Sequence, residues 1–158
     1  MKEKRSASAT QALPAITVLN RQRAVHVPLA ALEQFARRAL RECLGIPTNG
    51  MSGLASLAEL NVILVSDRRM AELHRRFFNL PGPTDVITFQ HGEIFISVET
   101  ARTHARRFGT SFESELRLYI AHGLLHLHGF DDRDVVEAAR MKRTQEKLVA
   151  AVDGTHTG

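Results

Sequence analysis

The sequence predicts one mixed domain of helices and strands, and three observations predict it. Its 158 residues are the length of a single domain, and 44% hydrophobic with 24% charged residues is ordinary for a chain that buries a core. Short β-branched runs bounded by turn residues alternate with longer segments of helical period. Two of the strand-like runs are separated by little more than His91-Gly92, a spacing that makes an antiparallel hairpin. Residues 1–13 read as a disordered tail, residues 14–152 as the domain, and residues 153–158 as a flexible C-terminal tail.

The elements follow in order. Residues 15–23 (AITVLNRQR) suit a strand near a sheet edge. Pro28 opens a helix through residue 44, with Leu29, Leu32, Phe35, Ala36, Ala39, Leu40 and Cys43 near helical spacing. Gly45 to Gly50 forms a loop. Residues 59–65 (ELNVILV) are the clearest strand. Ser66 or Asp67 caps the next helix, whose inward positions are Met70, Leu73 and Phe77. A Pro/Gly-rich loop leads to the hairpin strands 85–89 (DVITF) and 93–96 (EIFI). Ser97 caps a helix to residue 107, with Ala105 and Phe108 inward and Arg102, Arg106 and Arg107 outward, and Gly109 stops it. Thr110 or Ser111 caps a central helix, 112–128, that is apolar nearly all round and therefore buried. A charged amphipathic helix, 133–152, closes the chain.

Composition narrows the function. The single cysteine, Cys43, excludes an internal disulfide framework and a cysteine-built zinc site, and reads as a core thiol. No apolar run approaches the roughly 20 residues that span a bilayer, and the opening residues lack a signal-peptide core, so a cytoplasmic protein without a membrane partner is expected. The formal net charge is +4, carried mostly by arginine. Arginine grips phosphate through a planar fork and stacks on bases, which favours nucleic acid over peptide as partner. No P-loop, GxGxxG or serine nucleophile elbow is present.

The chemistry concentrates in HGLLHLHGFDD, residues 122–132. Residues four apart share a helix face, so Nε2 of His122 and of His126 can converge on one ion. Gly129 can take the left-handed conformation that ends a helix, letting the chain return with a carboxylate. Asp132 is the expected third ligand. Asp131 is the alternative ligand or a supporting residue: one of the two aspartates caps the last helix, and the other is free to reach the metal. Two histidines, a carboxylate and an open position form the ligand count of a catalytic zinc, which can activate water and polarise a substrate oxygen. Hydrolysis is the implied reaction class. Glu115, two turns earlier, is a candidate to orient a ligand histidine, with a surface salt bridge as the alternative. His128 projects elsewhere and is not a ligand. Gly123 stands where the HExxH metalloproteases carry their general base, which argues against peptide hydrolysis.

These residues resemble the HGxLHLxGYDH signature of the YbeY family, bacterial endoribonucleases associated with ribosomal RNA maturation. Residues 83–89 (PTDVITF) resemble its PTDVLSF block and residues 92–96 (GEIFI) its GDIxI strand. The region 111–118, and Met141 with Gln145-Glu146, resemble neighbouring parts of the family. The resemblance runs from about residue 59 to 149. It implies an α+β domain with a small mixed four-stranded sheet packed with helices around a central metal-binding helix. It also implies a zinc-dependent, single-strand-specific endoribonuclease maturing the 3′ end of 16S rRNA on the small ribosomal subunit, with no DNA partner. The alternative within this resemblance is an RNA-binding assembly factor whose metal is mainly structural.

Two departures stand out. The family's third histidine is Asp132 here, which lowers the charge of the site by one and moves preference toward harder ions such as Mn2+. The arginine that the family carries five residues before PTD falls on Phe78. Arg75 or Arg76 can replace it as an RNA contact. Phe78 reads as a core residue, with base stacking the alternative.

Overall fold

The computed structural model describes residues 12–48 and 50–154. Four strands form one mixed sheet: β1 (Ala15–Asn20), β2 (Glu59–Val65), β3 (Val86–Phe89) and β4 (Glu93–Ser97), in the order β1-β2-β4-β3. β1, β2 and β4 run parallel. β3 pairs antiparallel with β4, Ile87 opposite Phe95, as the expected hairpin. β1 is an edge strand, also as expected, but stops at Asn20.

Five helices complete the α+β fold: α1 (Leu29–Leu44), α2 (Asp67–Phe78), α3 (Val98–Phe108), α4 (Phe112–Leu127) and α5 (Val135–Gly154). Serine hydroxyls accept the free N–H groups at three helix starts: Ser66 from Arg69, Ser97 from Thr100 and Ser111 from Ser114. Thus Ser66 and Ser111 cap, not Asp67 or Thr110. α5 is capped by Asp134, whose Oδ1 accepts from the Glu137 N–H at 2.8 Å. Neither Asp131 nor Asp132 takes that role, and the helix begins two residues later than expected.

The two faces of the sheet are covered unequally. Alternate residues Ile16, Val18, Leu60, Val62, Leu64, Ile94 and Ile96 join α1, α4 and α5 in the main core. The other face contributes Val65 and Ile87 to a small cluster with Met70 and Leu73 of α2. α4 lies within the main core, and its buried residues point in every direction. It packs against α1, α3, α5, β3 and β4. Gly123 permits its close approach to the sheet, since a Cβ there would sit 2.6 Å from Ile94 Cγ2. Burial pushes the Cys43 thiol up to about 12, in keeping with an inert core thiol.

Three inward assignments are corrected. Phe77 is 53% and Phe108 63% exposed, and Phe78 is half exposed, not a core residue. Phe77 and Phe78 lie in the last turn of α2, against Phe89 of β3, and Phe108 ends α3; at a helix end the spacing continues while the cover from neighbouring elements is incomplete. At the termini, residues 1–11 and 155–158 of the expected tails lie outside the described residues. Asp153 and Gly154 continue α5 beyond the expected boundary, and Asp153 pairs with Arg117 at 3.5 Å. No helix among the described residues is long and apolar enough to cross a membrane.

Gly123→Ala tests the helix–sheet contact. Helix propensity alone would gain about 1 kcal/mol, whereas forcing a methyl into a packed core costs about 1–3 kcal/mol. Urea denaturation is expected to show a net loss of roughly 1 kcal/mol, relieved when Ile94 is also shortened to alanine. A stabilised single variant would refute the close approach.

Candidate metal centre

The polar groups of α4 are accounted for one by one. Glu115, 7% exposed, accepts the Thr110 hydroxyl at 2.8 Å and meets Tyr119. The Tyr119 hydroxyl lies 2.7 Å from His104 Nδ1. Burial, then the nearby Asp85 and Glu115 charges, hold that phenol well above its ordinary range. Glu115 therefore belongs to an internal network and does not orient a ligand histidine. His128, 3% exposed, donates through Nε2 to the Ile46 carbonyl at 2.7 Å, so its Nδ1 accepts from Ser52 Oγ at 2.7 Å. It pins the loop after α1 and is no ligand, as expected.

His122 and His126 remain. Nδ1 of His126 faces the Phe130 carbonyl at 3.2 Å, an atom that can only accept, so the ring carries its proton there. Nδ1 of His122 faces Gln145 Oε1 on α5 at 2.9 Å and donates to it. The two rings turn Nε2 toward the same point, and the two nitrogens are 3.1 Å apart. Asp132 Oδ2 stands 3.8 Å from one and 3.7 Å from the other. Burial, and next the neighbouring His122, push the His126 pKa below the ordinary imidazole range, outweighing the opposing pull of Asp132. The ring therefore stays neutral, the form that ligates metal.

Three acceptors converge on one point with no donor between them. Repulsion between the lone pairs makes such an arrangement unfavourable unless a cation sits among them. Donors about 2.0–2.2 Å from a tetrahedral ion stand roughly 3.3 Å from one another. The three atoms, all within 4.8 Å of one another, approach that spacing, so their chemistry and placement fit a divalent ion. The turn that brings Asp132 back uses Gly129 at φ 105°, with the Phe130 N–H bonded to the Leu125 carbonyl at 2.9 Å. Asp131 accepts from the Asp132 N–H at 2.7 Å and pairs with Arg133 at 2.5 Å, so it shapes the return loop and points away from the histidines.

His126 opens onto a cleft of about 220 Å3 lined also by His74, Phe78, Val86, Thr88 and Gln90. Edge strand β3 thus forms one wall, where the Thr88 hydroxyl is buried without a hydrogen-bond partner. A family model described as endoribonuclease YbeY matches residues 17–153. The chain belongs to the YbeY endoribonuclease family. The relative of that name from Frankia casuarinae is 32% identical over 148 residues, 81% of this chain and 68% of its own. The one from Symbiobacterium thermophilum is 32% identical over 137 residues, 76% and 86% of the two chains. The solution structure of TM1509 from Thermotoga maritima aligns with a TM-score of 0.60 at 30% identity, covering 89% of this chain and 90% of that one. Against the YbeY signature quoted above, both histidines are kept and the third position carries Asp132.

Of the expected RNA contacts, Phe78 lines the cleft, Arg76 lies over the Phe77 ring at 5.5 Å, and Arg75 lines a separate depression with Arg68. Sequence reasoning missed Gln145 as the partner of His122. The residue was visible in the Gln145-Glu146 block, but nothing in its spacing relates it to a helix 23 positions earlier.

Proposed function

We propose that this chain is a divalent-ion-dependent endoribonuclease that cuts single-stranded RNA, with His122, His126 and Asp132 holding the ion. Membership of the family makes it an endoribonuclease, a hydrolase of RNA. The observation that carries the metal reading is the facing pair of imidazole lone pairs, 3.1 Å apart beside an open cleft. Zinc suits two nitrogens and a carboxylate, and the carboxylate keeps manganese within range. When bound, such an ion supplies Lewis acidity to a phosphate oxygen and lowers the pKa of water. The chain's own residues do the rest. Gln145 and the Phe130 carbonyl fix the imidazole tautomers and ring orientations. Arg75 and Arg76, in the last turn of α2 just before the cleft residue Phe78, are the candidates to hold flanking phosphates. The substrate is ribosomal RNA, at the 3′ end of the 16S molecule in the small subunit, and the place of work is the cytoplasm. Supporting this finer reading are the several motif blocks shared with the family and the arginine-rich surface.

Incubation of metal-loaded protein with single-stranded RNA tests the reaction. Cleavage is expected, reduced roughly 100-fold or more in both His122→Ala and Asp132→Ala while circular dichroism shows folded protein. RNA bound but never cut by the loaded wild type would replace the enzyme with a binding factor.

Replacing Gln145 by leucine removes the acceptor behind His122. Competition titration with a zinc chelator is expected to show affinity weakened about 10- to 100-fold. Unchanged affinity would show that the His122 orientation owes nothing to α5.

Restoring the third histidine with Asp132→His raises the site charge by one and replaces a hard donor by a softer one. The variant is expected to prefer zinc over manganese more strongly than wild type does in paired titrations. Equal selectivity would mean that Asp132 is no ligand or that its donor type is irrelevant.

A further inference from the structure

α2 ends too soon to cover its face of the sheet. Past Leu73 the face continues as aromatic rings: Phe77 and Phe78 on the helix, Phe89 on β3 and Phe95 on β4. Phe89 lies at the centre. It meets Phe77 edge-on with centroids 5.0 Å apart, lies near-parallel to Phe78 at 6.5 Å and to His91 at 5.7 Å, and meets Phe95 edge-on at 5.8 Å. Phe77 and Phe78 each leave about half their surface to solvent. A second depression of about 230 Å3 runs beside these rings, walled by Arg69, Arg76, Phe77, Phe89 and His91. Phe78 lines the first cleft together with His126, so the aromatic row starts at the candidate metal centre and crosses the β3 edge.

Exposed rings grouped in this way mark a binding surface. The charges beside them select its occupant. Arg69 and Arg76 of α2 line the groove, and the carboxylates beside it have cationic or imidazole partners already: Glu72 is 3.0 Å from Arg69, and Glu93 pairs with His91. The combination of ring faces with guanidinium groups is that of a track for unpaired nucleotides, bases on the aromatics and phosphates on the arginines.

We propose that Phe78, Phe77 and Phe89 form a base-stacking track that holds the unpaired nucleotides flanking the scissile phosphate on one side. The inference rests on the endoribonuclease reading and adds to it how this chain grips its substrate. The track requires splayed bases, so it discriminates against duplex, and its share of the affinity resists salt, because stacking releases no counterions.

Fluorescence anisotropy with EDTA-treated protein and a short labelled oligouridylate separates binding from cleavage. Phe77→Ala and Phe78→Ala alter half-exposed side chains, and thermal melting verifies their folding. Each is expected to weaken binding roughly tenfold, with Phe78→Trp restoring it and the salt dependence of binding unchanged. Wild type is expected to bind an abasic oligomer of equal length weakly, with no further loss in the alanine variants. Equal affinity of wild type for the abasic and natural oligomers overturns the track, as do alanine variants that bind like wild type. A wild-type dimer dispersed by Phe77→Ala in sedimentation would also overturn it, by assigning the rings to self-association. Cleavage of the same oligomer by zinc-loaded wild type is scored separately. Cleavage without a stacking effect leaves the enzyme reading intact and removes the track, and stacking without cleavage does the reverse.

Discussion

Helix α4 is buried over most of its circumference, and that burial decides what its polar residues can do. A buried polar group without a partner costs about 1–3 kcal/mol, so each one on this helix must be satisfied by an identifiable atom. Glu115 has Thr110, Tyr119 has His104, and His128 has Ile46 and Ser52. His122 and His126 use their Nδ1 atoms on Gln145 and the Phe130 carbonyl, and their Nε2 atoms face each other at 3.1 Å. Two Nε2 lone pairs are left over, facing each other next to a carboxylate. The site is the unbalanced remainder of an otherwise closed account of hydrogen bonds.

The unequal covering of the sheet places a substrate surface next to that remainder. On one face, α1, α4 and α5 bury a continuous core; on the other, α2 fully buries Val65 and Ile87 and leaves Ile63, Phe89 and Phe95 partly covered. β3 is both an edge strand and one wall of the cleft. A polymer lying across that edge reaches the histidine pair from one face of the sheet and the aromatic rings from the other. The fold thus brings a rigid reactive group, carried by a buried helix, against a surface left open by a short one.

Much of this was legible in residue order, because local rules act over a few positions. The i, i+4 histidines, the serine caps, the hairpin and the all-round burial of α4 needed only helical and strand periodicity. The errors share a different cause. Phe77, Phe78 and Phe108 keep helical spacing, but whether a helix end is covered depends on how far its neighbour extends. Glu115 lies on the face of α4 that its spacing suggests, yet the loop before the helix supplies its partner through Thr110. Gln145 reaches His122 only because α5 packs back along α4. Contacts between elements distant in sequence leave no periodic trace, and one sequence without a packing partner cannot rank them.

The contrast between helix and loop also explains where the chain departs from its family. His122 and His126 are fixed by the backbone of a helix that Gly123 holds against Ile94, so a ligand of different length there would miss the common point. Asp132 sits on the return loop with its side chain 47% exposed, against 29% and 24% for the histidines. A loop shaped by Gly129 and by the Asp131 carboxylate can shift by the difference in reach between an imidazole and a carboxylate at little cost. The structural demand on the third position is a lone pair delivered to a place, and either residue type can meet it.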